Sequence, residues 1–338
     1  MPGIKALRKV QIGQESAAGT TSTAATAVWR GMGVLDDNRE TVFAEEDIGI
    51  LGDTLRTSVP KTGGEIELTG DVSYEQLAYF LVSGIYNTTA TTDAGSGQVW
   101  TWNTQNVSTD SIETTDLQTL AIQAGDNQQA ELMFYGFTRE LNLTGTAGEV
   151  MQASGTIEGR TVETGSFTAS LAVPTVEEIL FSNGAISIDP SSDTPGTTEK
   201  SNTLLSMDLN ITTGWQSVFT ARGNTDFAFV KRVSDEITCD ITFEHDASAV
   251  TEIAAWRNET EQVLRLRFNG STLSTTDSGA TYDTKTLIID LYGKWENFEP
   301  LSDEDGNDVV TGTFRAGYAS TPAKKMDIII VNENATLT

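Results

Sequence analysis

The sequence predicts a mainly β protein made of two tandem β-sandwich or barrel modules, each with one flanking α-helix. Three observations carry that reading. Apolar and polar residues alternate over many short segments. Only two segments show helical spacing. The order of signals in the first half of the chain recurs in the second.

The 338 residues suit two domains, since a domain commonly runs to about 150 residues. Hydrophobic residues make up 38% of the chain, and Thr, Ser and Gly fill the remainder of the usual core quota. That balance favours many strands and loops with thin cores. The alternation is plainest where Phe137, Arg139, Leu141 and Leu143 interleave with Thr138, Glu140, Asn142 and Thr144. Leu205, Met207, Leu209 and Ile211 interleave in the same way with Ser206, Asp208, Asn210 and Thr212. Each pattern describes a strand with one buried face. Similar signals occupy residues 65–68, 151–157, 236–243, 263–268, 286–292 and 326–331.

The first helix is expected to start at Ser73, with Gln76 completing a capping box and Leu77, Phe80 and Leu81 forming an apolar stripe. The second is expected to start at Asp246, a good N-cap, with Val250, Ile253 and Ala254 as its stripe and Trp256 and Arg257 near its end. Both stripes read as core packing against a sheet.

The helices sit in matching contexts. Glu65-Ile66-Glu67-Leu68 leads into one and Glu236-Ile237-Thr238-Cys239-Asp240-Ile241 into the other, and Ser73 and Asp246 lie 173 positions apart. Tyr135-Gly136-Phe137 and Tyr292-Gly293-Lys294-Trp295 each begin a strand that leads through a turn to a second strand, and Tyr135 and Tyr292 lie 157 positions apart. Both offsets are near half the chain length and the order is preserved, so the expectation is an internal duplication with modules at 1–165 and 166–338. Residues 164–178, rich in Thr and Ser around Pro174, are the linker between them. Long Thr/Ser/Gly loops are expected at 87–98, 190–202 and 271–281.

Net charge is −27, shared as −13 in residues 1–169 and −14 in residues 170–338. An acidic tail would unbalance those halves, so the charge belongs to folded surfaces. Residues 62–138 contain no Lys or Arg and ten carboxylates. Binding of nucleic-acid phosphates needs clustered cations and is not expected. Such a surface matches either a protein from a saline environment or a merely acidic one. Apolar runs such as 328–331 are far too short for a membrane helix. The segment MPGIKALRKVQIGQES has no apolar core, so no secretory signal is read there and synthesis inside the cell is the expectation.

Catalytic constellations are missing from the sequence. Its one histidine, His245, lies beside Glu244 before the second helix and reads as a solvated or capping residue. A single His with no nucleophile elbow makes no triad. With Cys239 as the one cysteine, neither a disulfide nor a His/Cys metal cluster is available. No phosphate-binding or dinucleotide glycine motif occurs. Asp303-Glu304-Asp305-Gly306-Asn307-Asp308 has the start of a calcium loop but lacks the later bidentate glutamate, and it falls where an Asp-Gly hairpin turn is expected. Asn106-Val107-Ser108 and Asn142-Leu143-Thr144 are glycosylation triplets that arise by chance in so Thr/Ser-rich a chain. The expectation is no enzyme, with no catalytic, cofactor-binding or metal residues.

Two stretches of the first half, GDVSYEQLAYFLVSGI and YGFTRELNLTGTAGEVMQASGTIEGR, resemble the tail tube proteins of long-tailed phages and archaeal tailed viruses. LLSMDLNITTGWQSVFTARG and KRVSDEITCDITFEHDASAVTEIAAW are similar to the same family in the second half, and the resemblance runs from about Val28 to Val331. It rests on order and size rather than on any one motif. The resemblance implies a virion structural protein in its duplicated-module form. Three chains would then build a pseudo-hexameric ring, rings would stack head-to-tail, and genomic dsDNA would pass through without specific binding. It implies tape measure, tail terminator and baseplate proteins as further partners, no membrane, synthesis in the host cytoplasm and location in the virion tail. An acidic lumen is the accompanying expectation. A second reading is a secreted surface-layer or adhesin-type β-sandwich protein.

Overall fold

The computed structural model describes residues 2–337 apart from Ser22, Asp53 and residues 106–116. The fold is mainly β, as expected. The first half contains β1 (Lys9–Gln14), β2 (Ala27–Val28), β3 (Leu35–Asp37), β4 (Glu40–Phe43), β5 (Thr57–Lys61) and β6 (Gly64–Asp71) ahead of α1 (Ala78–Gly84). After that helix come β7 (Thr91–Thr92), β8 (Gln98–Gln105), β9 (Leu120–Gly125), β10 (Ala130–Thr146), β11 (Gln152–Gly159) and β12 (Thr161–Gly165). The second half begins with β13 (Gly184–Pro190), β14 (Leu204–Thr212), β15 (Trp215–Val218), β16 (Phe229–Arg232) and β17 (Glu236–Glu244), followed by α2 (Ala247–Arg257). It ends with β18 (Gln262–Thr272), β19 (Thr284–Phe298), β20 (Ser302–Glu304), β21 (Asn307–Ala316) and β22 (Lys324–Asn332).

One long strand organises each half. The first part of β10 pairs with β9 and β12, and its last part pairs with β11. The changeover falls between Phe134 and Phe137, where pairing with β9 slips between Met133 and Gly136 and Tyr135 has a φ of 57°, and a β-bulge between Thr138 and Glu140 follows within the second part. β1 extends the first of these sheets beside β9, while β6 and β3 extend the second beside β11. In the second half β19 pairs first with β18 and β22 and then with β21, with its own bulge between Trp295 and Asn297. There β13 lies beside β18, β17 beside β21 and β14 beside β17. The apolar sides of these strands close on one another and on the helices: Leu68, Ile157, Leu143, Leu209, Ile241 and Phe314 are all fully buried.

α1 begins at Ala78 rather than at Ser73 and is buried on every side, and Leu77, Phe80 and Leu81 all lie in the core. A turn precedes it. Ser73 Oγ accepts the Gln76 N–H at 3.2 Å, but the Gln76 side chain does not complete the expected capping box. Its Nε2 donates to Val28 O at 2.8 Å and its Oε1 accepts the Arg30 N–H at 3.0 Å, so tertiary partners take the groups that a cap would use. Packing is tight enough that a Cβ on Gly155 would lie 2.2 Å from the Phe80 ring. α2 starts as expected, with Asp246 accepting the N–H groups of Ser248 and Ala249. Its stripe differs from expectation. Val250 and Ala254 face solvent while Ala249 and Glu252 are buried, because Glu252 has an ion-pair and hydrogen-bond partner inside.

Residues 166–178 have no regular structure but are tied down. Thr168 exchanges hydrogen bonds with Gln123, and Glu177 accepts from Ser271. β8 leaves its own half and pairs with β22 over Gln98–Gln105. The loops around it hold on to residues 271–282: Asp93 accepts the Thr281 and Tyr282 N–H groups at 2.9 and 2.8 Å, and Glu333 accepts the Ser274 N–H at 2.7 Å and Ser96 Oγ–H at 2.8 Å. The hydrogen bonds from Thr281 hold the Asp93 carboxyl below its ordinary pKa, and those from Ser274 do the same for Glu333. A folded pKa below the unfolded one means stabilisation that is complete above the ordinary carboxylate value and lost as pH falls through the depressed one. Protection factors of the Ser274, Thr281 and Tyr282 amides are therefore expected to fall between about pH 5 and about pH 2, ahead of the buried strands. Protection that persists unchanged across that range would contradict this.

Candidate functional site

The two halves join through strand pairing. Glu140–Thr146 of β10 pairs antiparallel with Thr212–Ser206 of β14. The result is one continuous sheet in the order β3, β6, β11, β10, β14, β17, β21, β19. The period of two along each strand sends alternate side chains to opposite faces: Ile66, Leu68, Leu141, Leu209, Ile237 and Cys239 enter the core.

The other face is mostly polar along the joined strands, with Phe137 beside Glu158 and Val309 beside Glu244 as buried apolar exceptions. From the first half it carries the carboxylates of Asp36, Glu65, Glu67, Asp71, Glu140 and Glu158. From the second it carries those of Asp208, Glu236, Asp240 and Glu244. Thr, Ser and Asn fill the positions between, and they bind the carboxylates in place. Ser154 Oγ donates to Glu67 at 2.7 Å, Asn142 Nδ2 to Asp208 at 2.5 Å and Thr313 Oγ1 to Asp240 at 2.5 Å. The bonds at Asn142 run across the junction between the halves, so the polar face is as continuous as the backbone ladder. Three cations, Arg139, Lys294 and Arg315, also belong to this face, and Lys294 lies 3.6 Å from Glu261. Arg139 lies 3.4 Å from Glu158, and Arg315 lies 2.9 Å from Glu236, so each already has a carboxylate partner.

Both ends of the joined sheet are open. β3 pairs with β6 on one side, and among the described residues no strand pairs with its other side; a cleft of about 220 Å³ bordered by Gly33, Val34 and Leu35 opens there. On the side of β19 occupied by β18, pairing ends at Gly293, and among the described residues no strand pairs with that side as β19 continues to Phe298, though Glu296 O accepts the Trp256 indole N–H at 3.2 Å. Unpaired ladders of this kind invite another strand.

Other positions singled out in the sequence lie away from this face or have plain structural uses. Asp305 and Gly306, with φ of 52° and 88°, form the two-residue turn between β20 and β21, as a left-handed hairpin turn requires. His245 donates its backbone N–H to Asp308 O. Cys239 is buried, and burial pushes its thiol pKa well up, which leaves it unreactive. The Asn142 side chain is engaged by Asp208 and Asn210 between strands. The triplet Asn106-Val107-Ser108 lies outside the described residues. Among the described residues no group of three or more His, Cys, Asp and Glu side chains is placed to hold a metal ion, and no helix is long and apolar enough to cross a membrane.

Sequence reading missed Glu15. Its buried carboxylate accepts from Thr119 Oγ1 at 2.6 Å, Gly19 N–H at 2.7 Å and Tyr135 N–H at 2.9 Å. Burial raises its pKa in spite of those bonds. They hold Tyr135 at a φ of 57°, unusual for a residue with a side chain. No local pattern around residue 15 announces this, since two of its partners, Thr119 and Tyr135, lie over a hundred positions away.

The fold and this face describe a β-rich protein whose two halves share one continuous sheet with a carboxylate-rich outer side. A family model for the phage tail tube protein matches residues 6–319, and the chain belongs to that family. It is accordingly a structural component of a viral tail tube. A search of curated proteins finds no match.

Proposed function

We propose that three copies of the chain close into a ring of six modules, that rings stack head-to-tail into the tube, and that the polar face lines a channel for genomic dsDNA. The observation that carries this reading is the agreement of strand pairing between residues 1–165 and 166–338. Gly155 pairs with Leu68 on one side and Leu141 on the other; Gly312 pairs with Ile241 and Phe298. Those partners are separated by the same 173 and 157 positions that relate the two halves of the sequence. The two bulges, after Thr138 and after Trp295, also lie 157 positions apart. In this correspondence β14 stands where β3 stands and β19 where β10 stands. The internal junction of β10 with β14 is then the pattern for a junction between chains, in which the open side of β19 pairs with β3 of the next copy. Repeating one junction around a closed ring removes every free edge.

The carboxylate face suits passage of duplex DNA, which carries about one phosphate charge per 1.7 Å of axis. A wall of clustered cations would bind the duplex at each ring. Carboxylates repel it from all sides, and the three cations present, Arg139, Lys294 and Arg315, are already paired with carboxylates. Such a chain acts without catalysis, in the virion tail, after synthesis in the host cytoplasm, and meets tape measure, tail terminator and baseplate proteins at the ends of the tube.

Class averages and a density map of the assembled protein test this. Three chains per ring are expected, with Glu67, Asp208 and Asp240 facing the channel. Six chains per ring would refute the trimer and leave the tube standing. A channel with more Lys and Arg than Asp and Glu would overturn the assignment of the lumen.

A further inference from the structure

The internal junction has a second component besides the ladder. The β15–β16 hairpin folds across the first half of the chain, where Trp215, Phe227 and Val230 are buried with Leu117, Tyr135 and Phe137. Phe227 packs edge-on against Tyr135 with ring centroids 5.2 Å apart. Arg160 closes the site: its guanidinium lies 4.0 Å from the Tyr135 ring centre and donates to Ala228 O at 2.7 Å.

The corresponding hairpin of the first half, β4–β5, has no such seat. It follows β3 as β15–β16 follows β14, yet among the described residues it is held only at its base, where Lys61 Nζ lies 4.9 Å from the Phe219 ring centre and the Thr62 N–H donates to Thr225 O at 3.0 Å, and its outer part is exposed. Phe43 is 63% exposed and Leu55 91% exposed, and Val42, Ile48, Ile50 and Leu51 are exposed with them. A solitary hairpin with this many bare apolar side chains is costly to keep in water and marks an interaction element.

A vacant seat lies at the other end of the molecule. Tyr135, Phe137 and Arg160 correspond, 157 positions on, to Tyr292, Lys294 and Gly317. The ladder positions agree with the match, since Phe137 pairs with Glu158 as Lys294 pairs with Arg315. Here a cleft of about 380 Å³ opens between Gly293–Glu296 and Arg315–Ala319. Where Arg160 fills the first site, Gly317 has nothing within 4 Å of its Cβ position.

We infer that the β4–β5 hairpin of one chain seats in the Gly293–Glu296/Arg315–Ala319 cleft of a second copy, placing Phe43 and Leu55 where Phe227 packs within the chain. The inference rests on the ring reading and adds the contact that locks it. Hairpin and cleft are different surfaces of one chain, so the contact is heterologous and propagates from copy to copy. It commits each junction to one direction, because an edge ladder alone tolerates slippage that a seated side chain does not.

Two variants of the full chain test it, with assembly followed by light scattering and electron microscopy. Phe43→Asp/Leu55→Asp alters exposed side chains, and Gly317→Trp grows into open space, so both are expected to melt like the unassembled wild-type chain. Each is expected to raise the concentration needed for assembly by about a hundredfold or more, as loss of a central apolar anchor does. An equimolar mixture retains one good hairpin and one good cleft and is expected to stop at a dimer of unlike chains. Assembly of either variant at the wild-type concentration would overturn the seat and leave the ring intact. A wild-type chain that stays monomeric at every concentration would remove the ring reading and this inference with it. Should Gly317→Trp melt early, a fluorophore on Phe43→Cys decides: its emission shifts on assembly if the hairpin is seated and stays unchanged if it is not. The native thiol at Cys239 is buried and does not compete for the label.

Discussion

Asp37→Pro is expected to leave the chain folded and to stop it closing rings. Met32 exchanges both backbone hydrogen bonds with Thr69, at 2.7 and 2.9 Å, so its polar groups point at β6. Alternation along the strand then turns the N–H groups of Gly33, Leu35 and Asp37 toward the open side. Proline at 37 deletes one outward donor and fills the edge with a ring, while no internal hydrogen bond of the chain is lost. Assembly is expected to weaken by about tenfold or more, since one interfacial hydrogen bond and its neighbours are worth on the order of 1–2 kcal/mol. Asp37→Ala is the control. It removes only the exposed contact with Arg39, 3.7 Å away, which is worth about 0–1 kcal/mol. Assembly of Asp37→Pro at the wild-type concentration would show that β3 is not a ring edge.

The largest effect on the folded chain itself is expected at Lys200. Its Nζ lies 3.0 Å from Oε1 of Glu252, whose side chain is 1% exposed. The other carboxylate oxygen accepts from Gln262 Nε2 at 2.9 Å and Trp295 Nε1 at 3.2 Å. Lys200→Met leaves that carboxylate buried without a counter-charge, which costs about 3–5 kcal/mol. Glu252→Gln removes the buried charge and keeps much of the hydrogen bonding, and Lys200, nearer the surface, can turn to water; about 1–2 kcal/mol is expected. Denaturant midpoints of the two variants measure the difference, and equal losses would show that the pair is held by packing rather than by charge. The position that matches Glu252 in the first helix, 173 residues earlier, is Tyr79. There burial pushes the phenol pKa up to about 12. The two helices thus fill equivalent places with unlike chemistry.

That contrast explains where sequence reading fell short. Strand positions were legible because one-sided burial imposes a period of two, and β10, β14, β17, β18, β19 and β22 lie where the alternation puts them. The N-cap at Asp246 was legible because a cap is local, acting over three residues. The face of α2 was not. Val250 looked like a core residue and is exposed, while Glu252, outside the expected stripe, is buried because Lys200, Gln262 and Trp295 converge on it from other elements. Gln76 matched a capping box and instead bonds Val28 and Arg30 for the same reason.

The carboxylate surface shows the division most clearly. Composition and alternation alone determined that this chain is mainly β, evenly acidic and poor in catalytic groups, because charge, period and residue type are properties of the chain itself. Which carboxylates share a face was decided by the pairing of Glu140–Thr146 with Thr212–Ser206. That pairing aligns Asn142 with Asp208 and Asn210 across 66 and 68 positions. So was the contrast between a seated β15–β16 hairpin and a bare β4–β5 hairpin. Both depend on contacts between residues far apart in the chain, whose free energy is realised only when the long strands β10 and β19 have bent and the sheets have closed.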